Sequence, residues 1–182
     1  MAAAQEVVAG CQNGGSENGG SKAVGFNGLK PFLIVPAPMA CDAVKFYKDA
    51  FGAEELERSV HPKRKADQDL PLLAYAHLKL GPAELFVSDE TEDAGVKSNA
   101  TLGGTSLIMW LETEDMEGAI AKAVKAGATV EAEVSDTPCG AGRYGKVKDP
   151  FGYIWAISTP CPVAAATPAV DVSGIGHEDV QA

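Results

Sequence analysis

His77 and Glu84 supply the imidazole and the carboxylate that a divalent ion needs if protein ligands are to displace its water. A lone histidine two residues from a tyrosine, here Tyr75, is more commonly a hydrogen-bonded pocket residue, and that reading is preferred. Cys139-Gly140 has the look of a nucleophile, yet no histidine lies near it in sequence, and a loop thiol without such a neighbour is inert. Asp149 could act as a base, but it opens a turn that accounts for it without chemistry. Gly140, Gly142 and Gly145 do not follow a strand and open a helix, so they do not form a phosphate-cradling loop. The four cysteines, Cys11, Cys41, Cys139 and Cys161, show no CxxC or ligand-like spacing and read as thiols of an intracellular, cytoplasmic protein.

The elements that must position these groups are organised around Asp149–Thr159, DPFGYIWAIST. Asp149-Pro150-Phe151-Gly152 is a turn: the Asp side chain bonds backbone further on, Pro presets φ, and Gly accepts a positive φ. Tyr153 to Ile157 then supply a strand that is apolar on both faces and therefore central in its sheet. Upstream, 29–35 (LKPFLIV) predicts a first strand. Helical spacing from Ala43 to Phe51 follows, with Asp42 in its first turn and Gly52 as its stop. Residues 53–60 give a polar, edge-like strand, and 61–71 a charged, mobile excursion. Leu72 to Leu80 alternate, with Leu72, Ala74, Ala76, Leu78 and Leu80 on one face and Leu73, Tyr75, His77 and Lys79 on the other. Ala83 to Ser88 form a fourth strand, and 89–104 a linker.

The second half repeats this order. Thr105 to Leu111 is a strand, Asp115 or Thr113 caps a helix with apolar Met116, Ile120, Ala123 and Val124, and Gly127 stops it. Residues 128–134 are a strand, and a Gly-rich turn over 138–142 leads into RYGKVKD and the organising stretch. Gly52 and Gly127 are each followed by Ala and a Glu-bearing strand, which marks an internal duplication of a βαβββ unit. The expected domain is 29–160, with modules at about 29–90 and 105–160, between disordered tails at 1–28 and 161–182. A net charge of −10 argues against nucleic acid or an anionic membrane surface as partner, because the long-range field repels both. No apolar run approaches the roughly 20 residues of a membrane span, and the start of the chain has no basic region followed by an apolar one.

In AVKFYKDAFGAE (43–54), DMEGAIAKAVKAGA (115–128) and RYGKVKDPFGYIW (143–155) the chain resembles the glyoxalase/bleomycin-resistance/dioxygenase (vicinal oxygen chelate) superfamily, most of all its phosphonate-operon-type subgroup. The resemblance implies an α+β fold: two tandem βαβββ modules forming curled mixed sheets around a cleft, with helices on the outer faces. It places Phe32, Ile34, Glu84, Phe86, Ser106, Ile108, Trp110, Ile154 and Ala156 on the cleft side, and with them Tyr75, His77 and Lys79 by strand parity. Arg143, Tyr144, Lys146 and Lys148 match the subgroup's basic-aromatic lead and are candidates to border the cleft, Arg143 among the site residues, although solvated strand residues are the preferred reading; Tyr153 stands where the subgroup commonly has His. Metal-dependent members take ligands from strands one, four, five and eight; the matching positions here are Phe32, Phe86, Ser106 and Ala156, so no metal and no other cofactor is expected. The resemblance further implies a homodimer and a small molecule of unspecified, hydrophobic or cationic character in the cleft. The alternative is a metal-dependent lyase, isomerase or dioxygenase with a displaced site at His77 and Glu84.

Overall fold

The computed structural model describes residues 25–61, 71–137 and 142–160. Of the tails expected at 1–28 and 161–182, residues 1–24 and 161–182 lie outside the described residues, as do 62–70 of the excursion expected at 61–71 and 138–141 of the turn expected at 138–142. The element order is β1 (Phe32–Val35), α1 (Ala40–Phe51), β2 (Glu54–Val60), β3 (Leu73–Leu80), β4 (Ala83–Asp89), α2 (Asn99–Leu102), β5 (Ile108–Glu112), α3 (Met116–Ala126), β6 (Thr129–Asp136), β7 (Arg143–Lys148) and β8 (Ile154–Ser158). The duplicated βαβββ unit is thus present, as one mixed sheet per module in the orders β1-β4-β3-β2 and β5-β8-β7-β6. Both are open sheets without the curl that was expected. β1 pairs parallel with β4, and β5 with β8, because each module's first strand returns through a helix; the hairpin-linked strands pair antiparallel.

Local chemistry explains the helix ends. Gly52 and Gly127 adopt φ of 71° and 119°, and their N–H groups close on carbonyls of the last turn, a conformation that would strain a residue with a Cβ. Asp115, rather than Thr113, is the N-cap of α3, accepting from the Gly118 N–H at 2.9 Å. α1 starts at Ala40, with Asp42 in its first turn as expected, and has no side-chain cap at Met39. Its first amide is instead satisfied from a distance: Ala40 N–H donates to Asp89 Oδ1 (2.8 Å) at the end of β4, and Asp89 Oδ2 also accepts from Leu73 N–H (2.7 Å). Val124, expected inward, is 42% exposed.

One core joins the modules. α1 packs against α3, and Tyr47 and Phe51 of α1 lie against Trp155 of β8 with ring centroids 5.4 and 4.7 Å apart. At its centre Asp149 is buried with both carboxylate oxygens occupied. Oδ1 accepts from the Phe151 and Tyr153 amides at 2.9 Å, and Oδ2 from the Tyr47 hydroxyl (2.9 Å) and the Trp155 indole N–H (3.0 Å). Burial pushes the Asp149 carboxyl above its ordinary value while these donors pull it back; burial, then Asp149, holds the Tyr47 hydroxyl well above its own. Tyr153 completes the join by accepting from Ile34 N–H (2.8 Å) and donating to Ile34 C=O (3.0 Å), so its hydroxyl is spent on the free edge of β1.

Several expectations about individual elements are corrected. β1 starts at Phe32, not at residue 29, and Pro31 contributes only its carbonyl, to Phe86 N–H. β3 pairs Tyr75 with Ser59 but Leu73 with Val60, so Ala74 is an extra residue in the strand. That bulge reverses parity: Leu73 is fully buried, and Ala74 emerges on the other face beside Phe32 and Ile34. The 89–104 linker contains a 3-10 turn (Glu92–Ala94) and α2, whose N-cap Ser98 is tied to Glu90. β5 starts three residues later than predicted, which leaves Ser106 in an exposed bend.

Candidate functional site

Alternation along the strands gives each sheet a face turned away from the helices. In the first module that face is built on Phe86, which pairs in register with Phe32 on one side and His77 on the other. The Phe32 and Phe86 rings stack at 5.5 Å (16°), His77 stacks on Phe86 at 4.5 Å (17°), and Tyr75 meets Phe86 edge-on at 5.8 Å. Phe32 is 53% exposed, so the ladder ends in an open ring. A cavity of about 470 Å³ adjoins it, with Phe32, Ile34, Ala74, Ser88 and His61 among its walls.

The polar groups of this face are satisfied from within it. His77 Nε2 lies 2.7 Å from Glu84 Oε2, the same oxygen binds Lys30 Nζ, and Lys30 sits 6.0 Å from the Phe86 ring centre. Lys30, and after it His77, holds the Glu84 carboxyl below the usual carboxylate range. Tyr75 donates to Glu57 Oε1 at 2.7 Å, a bond that raises the Tyr75 hydroxyl.

In the second module Trp110 and Tyr144 stack at 5.3 Å (26°) from β5 and β7, on either side of β8. Between them Ala156, in register with both Trp110 and Lys146, is fully buried on β8. Trp110 Nε1 donates to Ser158 Oγ at 2.9 Å, and Lys146 Nζ lies 5.6 Å from the Tyr144 ring centre. Trp110 stays 46% exposed and Ile108 48%.

Phe32, Ile34, Tyr75, His77, Glu84 and Phe86 therefore share one face, and Trp110 and Ala156 share the other. Two expected site residues do not join them. Ser106 precedes β5, and the hydroxyl on that face is Ser158. Arg143 has the opposite parity to Tyr144, and its guanidinium lies 3.8 Å from Glu117 on α3. Tyr144 and Lys146 take its place, and the signal for them was in the sequence: Gly145 and Val147 are the inward residues of β7. A Cβ on Gly145 would stand 2.7 Å from Ile120 Cδ1.

The donor set does not fit a divalent ion at the family's metal position. Of the four matching positions, Phe32 and Phe86 face each other across β1 and β4, Ala156 faces Trp110 across β8 and β5, and Ser106 lies in a bend before β5, so none supplies an imidazole or a carboxylate. His77 and Glu84 do meet, but Lys30 shares the carboxylate, and no group of three potential ligands occurs among the described residues.

Comparison with known proteins agrees with the duplicated fold. Residues 32–90 match the family described as glyoxalase At5g48480-like, N-terminal domain, and residues 108–158 match its C-terminal domain. The Arabidopsis thaliana protein At5g48480 is 44% identical over 130 residues, 71% of this chain and 77% of the plant protein. A Mycobacterium bovis protein, Mb0911c, is 35% identical over 135 residues, 72% of this chain and 82% of its own. The X-ray structure of the At5g48480 gene product superposes with a TM-score of 0.59 at 36% identity, covering 73% of this chain and 98% of that one. A glyoxalase-related enzyme from Fulvimarina pelagi shares the fold alone, at 18% identity and a TM-score of 0.54 over 74% of this chain and 89% of its own. With both modules matched in order, the chain belongs to the At5g48480-like glyoxalase family, within the glyoxalase/bleomycin-resistance superfamily.

Proposed function

We propose that the protein binds a small molecule without using a metal, holding it against the aromatic faces of its two sheets. The observation that carries this reading is the Phe32–Phe86–His77 ladder, which ends in a half-exposed ring beside a cavity of about 470 Å³. An apolar concave wall with a few fixed polar points is the usual character of a small-molecule site. His61 and Ser88 are among the polar points of the cavity, and Glu84 and His77, fixed by each other and by Lys30, stand on the same sheet face. A homodimer belongs to the same proposal: open sheet edges and exposed aromatic faces are surfaces that a symmetric partner covers at low cost. An intracellular setting accords with the exposed, free thiol of Cys41.

Native mass spectrometry of the protein as purified from cells, searching for a co-purifying small molecule, tests binding directly. Affinity for whatever ligand is found should fall on Phe86→Ala, and unchanged affinity overturns the site. One equivalent of zinc, nickel or iron retained through gel filtration would replace this reading with the metal-dependent enzyme. Sedimentation equilibrium should give about twice 18.8 kDa, and a monomer mass at micromolar concentration refutes the dimer.

A further inference from the structure

The two aromatic faces differ in how their charges are balanced. On the first, Lys30 meets Glu84, the same carboxylate oxygen lies 2.7 Å from His77 Nε2, and Tyr75 is hydrogen-bonded to Glu57. On the second, Lys148 lies 3.9 Å from Glu131, but Lys146 has no acidic side chain within ion-pair distance among the described residues. Lys146 is partly buried in the middle of β7, with its ammonium over the Tyr144 ring and fully buried Ala156 beside it in register. Glu112, the carboxylate on β5 of the same face, stands in register with Ser158 rather than with Ala156, a different row from Lys146. A ring face compensates part of an ammonium's lost hydration but does not neutralise it. A partly desolvated cation without a counter-ion is satisfied best by an anion that arrives with a ligand.

Building on the small-molecule reading above, we infer that the second sheet accepts a planar aromatic anion. Its ring system lies against the Trp110–Tyr144 stack, and its carboxylate or sulfonate pairs with Lys146 Nζ. The site suits a flat group, because the two rings, stacked at 26°, close over Ala156, which is fully buried beneath them. Ser158 Oγ, already accepting from Trp110 Nε1, holds the indole in place beneath it. The chain as a whole carries a net charge of −10, so its long-range field repels anions. A preference for an anion must therefore come from a local cation.

The test is isothermal titration calorimetry of the full chain with three probes of one shape: 2-naphthoate, 2-naphthylmethanol and 2-naphthylmethylammonium. Naphthoate should bind roughly ten- to a hundredfold more tightly than the neutral alcohol, the range that a charge-assisted hydrogen bond supplies. Lys146→Gln should abolish that preference, whereas Lys148→Gln, whose charge Glu131 already balances, should preserve it. Trp110→Ala should weaken all three probes. Naphthoate binding no better than the alcohol, or a preference that survives Lys146→Gln in protein whose far-ultraviolet circular dichroism is unchanged, overturns the inference and leaves the binding proposal standing. If none of the three probes binds, the inference falls; if in addition no small molecule co-purifies, the binding proposal falls with it.

Discussion

Replacing Asp149 with Asn would keep the shape of the group at the centre of the shared core and change only which of its atoms accept. The carboxylate takes four donors: the amides of Phe151 and Tyr153 on Oδ1, the Tyr47 hydroxyl and the Trp155 indole on Oδ2. The best orientation for Asn keeps its oxygen on the two amides and turns its NH₂ toward Tyr47 and Trp155. A hydroxyl can rotate and accept, but an indole N–H can only donate, so the Trp155 donor is orphaned against another donor. An unsatisfied buried donor costs about 1–3 kcal/mol, and the lost charge assistance adds to it, so Asp149→Asn should destabilise by about 3 kcal/mol. Urea unfolding followed by far-ultraviolet circular dichroism, with the slope unchanged, measures this. The cause is isolated by a cycle with Trp155→Phe, which removes the clashing N–H at the separate cost of a cavity. The double variant should be more stable than the sum of the singles by about 1–2 kcal/mol. An Asp149→Asn cost below about 1 kcal/mol, no more than an average substitution, or an additive cycle, would refute the reasoning.

Asp89→Asn can keep only one of the two amide bonds that the carboxylate makes to Ala40 and Leu73, so it should cost about 1–2 kcal/mol. Hydrogen exchange should accelerate at one of those two amides, and protection unchanged at both would contradict the shared cap. Glu90 is held down to about 2 by Ser98, first through its side chain and then its amide, and next by Thr101. Because the folded state depresses this group, its contribution is present above the unfolded carboxylate range and is lost as pH falls toward 2. The stability gap between wild type and Glu90→Gln should thus narrow on acidification from pH 6 to pH 2.5, and a gap independent of pH sinks the assignment. Gly152→Ala meets a φ of +89° and an Asn99 Cβ at 3.0 Å, so it should cost about 1–2 kcal/mol from the backbone alone. Thermal melts should show little effect for Gly104→Ala, which has open space and no positive φ.

The candidate site was legible in part, and strand parity decides which part. Phe32, Ile34, Glu84, Phe86, Tyr75 and His77 lie on strands whose alternation is uninterrupted where they sit, so a period of two assigns their common face. Ala74 escapes that rule because a bulge inserts one residue into β3 and flips everything before it. On β7 the sequence left both rows open, Arg143 and Tyr144, Lys146 and Lys148 alike; Arg143 lies in the helix-side row, whereas Gly145, packed under Ile120, fixes Tyr144 and Lys146 as the open one. Ser106 was misplaced because a strand's start is set by its partner, and β8 begins pairing only opposite Ile108.

Legible from near neighbours alone were the βαβββ order and its repetition, the glycine stops at 52 and 127, a cap at Thr113 or Asp115, the turn at 149–152 and the apolar strand after it. Each follows from backbone sterics or from hydrogen bonds spanning a few residues. Only tertiary structure decided the use made of groups far apart in the chain. Asp149 reaches Tyr47 across 102 residues, Tyr153 holds the edge of β1 across 119, and Asp89 caps a helix 49 residues upstream. The same holds for Lys146, whose distance from every carboxylate among the described residues depends on which side chains the register of β6, β7 and β8 sets beside it. A side chain's charge is written at its own position, but its partner is chosen by packing.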